Sequence, residues 1–266
     1  IREVRCESTA IPPARRRGTR GEPVRNAIGD VSAAADTRSS AVDLELARRV
    51  RLDLLPASVA GTEAFRVDAH HSAGGGAGGA FYEMKAMDHG RLALFVAQLP
   101  GGGVSAALYG MVFKDLLRRH TARCGDPAGL LSHLNRELLR YAAAEQMPTA
   151  LCAVADPVQN TVRFCGAGHP PLLVYRGASG RVARIAPGGL PLGCLDEEPY
   201  RARELRLGRG DLVLFHAGCP DQARLASLLR EEVLDPSSDL PKRICDRLPA
   251  MRRAAGDRLL ITLRLR

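Results

Sequence analysis

The sequence predicts an α+β fold in which antiparallel sheets are covered by helices. Short β-prone runs bounded by turn residues recur from Phe65 to the C-terminus. Two pairs of helix-like segments stand apart in the chain and do not alternate singly with strands, which argues against a parallel sheet. The bulk composition agrees: 45% of the 266 residues are apolar and 25% charged, enough for a sizeable core.

Taken in order, residues 1–40 are rich in Arg, Pro, Gly, Ser and Ala. They bury too little surface to offset ordering entropy, so a flexible tail is expected. From Ala41 to Leu55 the pattern changes: Leu46, Val50 and Leu54 recur four apart with arginines between them. That is an amphipathic helix, stopped by Pro56. A helix this short is marginal alone, so its stripe must pack on the domain or on a second copy. The segmentation is therefore a 1–40 tail, a 41–56 linker helix and a 62–266 domain.

Within that domain, residues 65–70, 81–85 and 92–97 read as strands, and 104–121 and 127–144 as helices with apolar stripes. Strands are expected at 150–156, 161–165, 172–175, 182–185, 204–207 and 211–215, the last two joined by a Gly208–Gly210 turn. Helices at 224–233 and 240–251 and a strand at 258–265 complete the series. No internal repeat is visible.

Net charge is 38 − 29 = +9, yet 35 of the basic residues are arginine and only Lys85, Lys114 and Lys242 are lysine. Phosphate binding makes no such demand, and no basic helix is interleaved with aromatics, so no nucleic-acid role is expected. The densest basic stretch, Lys242–Arg266, reads as a solvated helix face and strand rim. Val104–Phe113, the longest nearly apolar run, is about half a membrane span, so no transmembrane helix is expected. Seven cysteines at wide spacings, with no metal-type pair, suggest free thiols in a reducing cytoplasm. The chain begins at Ile1, which is compatible with an upstream segment.

Several isolated motifs read as structure. Gly74–Gly79 has dinucleotide-loop spacing, but β-prone Phe81-Tyr82 follows it where a helix is required. Ser105 resembles a degraded nucleophile elbow, and it fits the first turn of a helix better. Cys219, three residues after His216, is a weak thiol candidate. The seven histidines are scattered, and His70 and His71 would face opposite sides of a strand.

A stronger signal is an ordered set of segments. They are Gly78-Gly79-Ala80-Phe81-Tyr82-Glu83, Val96-Ala97-Gln98-Leu99-Pro100-Gly101-Gly102-Gly103, Ala167-Gly168-His169-Pro170-Pro171 and Gly189-Leu190-Pro191-Leu192-Gly193. Last come Gly210-Asp211-Leu212-Val213-Leu214-Phe215-His216-Ala217-Gly218 and, far downstream, Gly256-Asp257. This order resembles the SpoIIE/RsbU branch of the PPM metal-dependent protein serine/threonine phosphatases, from about Leu44 to Arg266. The resemblance implies a four-layer αββα sandwich with two central antiparallel sheets. It also implies a two-ion manganese or magnesium centre held by aspartates in Gly-Gly-Asp, Gly-Asp-Val-Ser-Gly, Thr-Asp-Gly and Asp-Asp motifs.

This sequence departs from those motifs at the aspartates themselves. The corresponding positions are Ala80, Gln98, Ala217 and Gly256, with Asp257 and Glu83 as the remnants. Hard divalent ions need oxygen ligands, and a two-ion site needs several carboxylates. The expectation is therefore an inactive pseudophosphatase without metal or other cofactor, acting as a signalling or scaffold module through a protein partner. By resemblance that partner is a STAS-type anti-sigma-factor antagonist; an assembly subunit is the other candidate partner. The stripe Leu46, Val50 and Leu54 is the expected contact, for a partner or a homodimer. The alternatives are an active phosphatase with a rebuilt site and a structural subunit of a larger assembly.

Overall fold

The computed structural model describes residues 36–56, 62–72, 79–101, 104–120, 123–140, 147–235, 239–249 and 257–266. Helix α1 is Asp36–Leu54. Then follow β1 (Phe65–Ser72), β2 (Ala80–Ala86), β3 (Leu92–Gln98), α2 (Val104–Arg119) and α3 (Pro127–Leu138). The strands β4 (Thr149–Asp156), β5 (Thr161–Ala167), β6 (Leu172–Arg176), β7 (Arg181–Ile185), β8 (Arg203–Arg206) and β9 (Leu212–Ala217) come next. Helices α4 (Gln222–Glu232) and α5 (Leu240–Arg247) precede the last strand, β10 (Arg258–Leu265).

The strands form two five-stranded antiparallel sheets whose central strands are apolar and buried on both faces. Sheet A has the order β1-β10-β9-β6-β7 and sheet B the order β2-β3-β4-β5-β8. One set of alternate residues, among them Tyr82, Val96, Leu151, Phe164, Val213, Phe215 and Ile261, meets between the sheets. The other set on sheet B, including Phe81, Phe95 and Cys152, packs under Phe113 and Leu117 of α2 and Leu130 and Leu134 of α3. On sheet A the outer set, including Leu173, Leu214 and Leu260, is covered by Leu225 and Leu229 of α4 and Ile244 of α5. The result is the expected four-layer αββα sandwich.

Helix starts follow local chemistry. Asp221 accepts from the Arg224 amide at 2.8 Å at the start of α4, and Asp239 accepts from Lys242 at the start of α5. Helix α3 starts on Asp126 with Pro127 in its first turn.

The structure differs from the sequence reading in three respects. Helix α1 begins at Asp36, five residues earlier, because its polar first turns carry no apolar period to announce them. The helices read to Ala144 and Met251 end, as described, at Leu138 and Arg247. Most notably, β8 and β9 are not a hairpin: β8 is the edge of sheet B and β9 the middle of sheet A. The turn between them crosses the sandwich, tied by Asp211. Its carboxylate accepts from Gly208 and Gly177 amides at 2.9 Å and from Arg176 at 2.6 Å. A pattern of two strands and a glycine turn cannot say which sheet each strand joins.

Candidate functional site

Strand register gathers the motif residues at one end of the inter-sheet layer. Ala80 on β2 pairs directly with Gln98 on β3. Both share the face of Tyr82 and Val96, which points at sheet A. Opposite them, Ala217 ends β9 beside Leu259 of β10, and Asp257 lies two residues before Leu259, on the same face by alternation. Ala80, Ala217 and Asp257 are fully buried. Gly218 lets the two chain segments touch: its φ is +69°, and a Cβ there would collide with the Asp257 carbonyl. Gly256 lies outside the described residues.

The carboxylate at this end is engaged. His71 Nε2 of β1 donates to Asp257 Oδ2 at 3.0 Å. Sequence reasoning passed over His71, treating it as one of a pair on opposite faces. Its signal is available only once β1 is known to flank β10, which sets His71 opposite Leu259.

Glu83 is not part of this site. It is an odd number of residues from Ala80, so alternation turns it to the helix side of sheet B, where it pairs with Lys114 of α2. The reading of Glu83 as a metal-site remnant is corrected on that ground.

The glycine–histidine–proline and glycine–leucine–proline segments pack against each other. The Gly168 amide donates to Gly189 at 2.9 Å, and Gly168, at φ +65°, would bring a Cβ to 2.7 Å from Pro191. Asn135, reaching from α3, holds the second segment. Its Oδ1 accepts from the Gly193 amide at 2.8 Å and from Tyr200 at 3.3 Å, while its Nδ2 donates to Leu195 at 2.7 Å. Neither Asn135 nor Tyr200 stood out in the sequence, since buried asparagines announce themselves only through their partners.

Two histidines are buried close together, with ring centres 6.5 Å apart. His169 Nδ1 faces the Pro170 carbonyl and His216 Nε2 the Pro171 carbonyl, each at 3.1 Å. Burial pushes His169 down to about 3, with His216 nearby adding to the effect. Burial likewise lowers His216 to about 4, against the opposing Pro171 hydrogen bond. Both are neutral imidazoles at physiological pH. Cys219 is buried as well, and desolvation pushes its thiol up to about 12, so it is no nucleophile at neutral pH. Ser105 is the second residue of α2, as the helical reading requires.

Whether these side chains suit a two-ion centre is a question of donors. Alanine at 80 and 217 supplies none. Gln98 supplies one neutral carbonyl oxygen, buried and without a hydrogen-bond partner among the described residues. Asp257 supplies a carboxylate already bound to His71. Among the described residues no group of three or more His, Cys, Asp and Glu side chains is placed to hold a metal. This donor set does not fit two hard octahedral ions.

The expected contact stripe on α1 divides. Leu54 is half-buried and packs on the layer beneath α2, close to Gly110. Val50 is half-buried, whereas Leu46 is 60% exposed.

Residues 88–266 match the family described as Stage II sporulation protein E (SpoIIE). The chain belongs to the SpoIIE family. This is a family of PPM-type serine phosphatase domains from bacterial regulatory systems. Among curated relatives, the phosphoserine phosphatase RsbP of Bacillus subtilis (strain 168) is 24% identical over 220 residues, 80% of this chain and 54% of RsbP. The chain thus spans about half the length of that relative. The SiaA-PP2C domain of Pseudomonas aeruginosa superposes with a TM-score of 0.69 at 20% identity, covering 88% of this chain and 99% of that one. The RsbU and RsbW domains of a Mycobacterium tuberculosis protein superpose with a TM-score of 0.66 at 24% identity, covering 80% and 63%. These likenesses agree with the SpoIIE sandwich. No helix among the described residues is long and apolar enough to cross a membrane.

Proposed function

We propose that this SpoIIE-type domain is a pseudophosphatase that signals by binding a protein and not by turnover. One observation carries the reading: Ala80, Gln98 and Ala217 occupy the end of the inter-sheet layer where the family resemblance places metal-binding aspartates. Two divalent ions would bring four positive charges to a place with one carboxylate, and without them the family's route to an activated water is lost. The buried alanines join the inter-sheet core directly. Only four residues, Gly218 to Asp221, separate β9 from α4, leaving little chain for a substrate flap.

The partner we propose is a STAS-type anti-sigma-factor antagonist. Supporting this, the Mycobacterium tuberculosis neighbour joins RsbU and RsbW domains in one chain, and RsbP is named a phosphoserine phosphatase. The exposed Leu46 on α1 is the proposed contact for that partner or for a second copy of the chain.

The deciding experiment is turnover of a phosphoserine peptide with millimolar manganese. The expected result is no release of phosphate above that of an Asp257→Asn variant. Manganese-dependent release abolished by Asp257→Asn would establish the rebuilt-site enzyme in its place.

A further inference from the structure

Between sheet B and helices α2 and α3 lies a cavity of about 280 Å³, on the opposite face of the sheet from Ala80 and Gln98. Its walls are apolar: Ala93 and Phe95 of β3, Cys152 of β4, Leu117 of α2 and Leu130 of α3. Small side chains leave room here: Ala93 precedes Phe95 by two residues on β3, and Cys152 stands directly opposite Phe95 on β4. It has about twice the volume of a cavity of about 150 Å³ that stays dry and accepts benzene. An apolar pocket of this size, open to solvent at its charged mouth, suits an apolar guest.

The mouth carries charge of one sign in excess. Glu83 is taken up by Lys114. Lys85 also lines the cavity and has no carboxylate partner among the described residues, and Arg118 reaches its nearest carboxylate, Asp115, only at 3.8 Å. The interior offers no strong hydrogen-bond donor, only the Cys124 and Cys152 thiols. A compact, highly charged anion such as phosphate would find nothing to hold it inside, and an apolar cation would be repelled at the mouth.

We propose that this cavity binds an apolar monocarboxylate, with its body between sheet B and α2 and its carboxylate at Lys85 and Arg118. The site is independent of whether the domain turns over phosphate. Because Leu117 and Arg118 belong to α2, and Leu54 of α1 packs near Gly110 of that same helix, an occupant would bear on the helix that receives the linker.

Decanoate is the probe, titrated calorimetrically into the full chain below its micelle concentration, beside decanol and decyltrimethylammonium. The expected result is one decanoate per chain, bound at least about tenfold more tightly than either control. Lys85→Glu, a change at an exposed position, should weaken decanoate about tenfold and leave decanol unchanged. Ala93→Phe should fill the cavity and abolish binding, and Leu117→Trp provides a second obstruction from the helix side should the strand variant fail to fold. No binding of decanoate would overturn the proposal. So would equal binding of decanol, indifference to Lys85→Glu, or binding that survives a folded cavity-filling variant.

Discussion

At the scale of single residues, the buried histidine pair makes a prediction about pH. His169 and His216 are held neutral, near 3 and 4, while an unfolded chain titrates them near 6.5. Below pH 6.5 the unfolded state therefore binds protons that the native state refuses, and native stability falls as pH falls. The slope is at most about 1.4 kcal/mol per pH unit for each histidine. It ends near pH 4 for His216 and near pH 3 for His169. Urea denaturation from about pH 7 to about pH 5 should show the decline, and His169→Asn should make the slope shallower by up to about 1.4 kcal/mol per pH unit, its amide still able to donate to the Pro170 carbonyl. An unchanged slope in that variant would assign the decline to other groups. The sequence named His169 and His216 through their motifs, but not their neutrality. That property comes from burial, which no local sequence pattern announces.

Secondary-structure elements set what the sequence could and could not reveal. Short β-prone runs bounded by turn residues locate every strand to within about two residues, because both features are local in the sequence. Sheet membership was not local: β8 and β9 look like a hairpin until Asp211 is seen tying the turn across to Arg176 and Gly177. Burial pulls the Asp211 carboxyl upward, but the Gly208, Arg176 and Gly177 donors outweigh it and leave its pKa lowered. Asp211→Ala leaves those donors unpaired and should cost about 2–3 kcal/mol, read as a lower urea midpoint. Helix α1 is the other element to test. With Leu54 docked and Leu46 exposed, Leu46→Glu should shift stability by less than about 0.5 kcal/mol. If α1 pairs with its twin, light scattering of that variant should give the monomer mass where the parent chain gives the dimer. A variant that melts much lower at unchanged mass would make Leu46 part of the domain's own core.

For the whole molecule, the question is what holds one end of the sandwich closed. The four-layer architecture was legible from motif order, since spacing between motifs fixes where strands begin and end. His71 and the exclusion of Glu83 were not, because both depend on which face of a strand lies against the other sheet. Ala80 and Ala217 are as buried as the leucines around them, and Asp257 is bound to His71. If this closure is complete without ions, stability must be indifferent to them. A site that bound manganese at one hundred times its dissociation constant would add about 2.7 kcal/mol, or several degrees in melting temperature for a domain of this size. Chelator and millimolar manganese should therefore give the same melting temperature within about one degree. The converse holds for Ala80→Asp, Gln98→Asp and Ala217→Asp combined. Three added carboxylates beside Asp257 would sit buried and mutually repelling, a situation that costs about 3–5 kcal/mol for one uncompensated charge. That variant should melt far lower in chelator and recover in manganese, whereas a parent chain that itself gains several degrees from manganese would show that the centre binds ions with the donors it has.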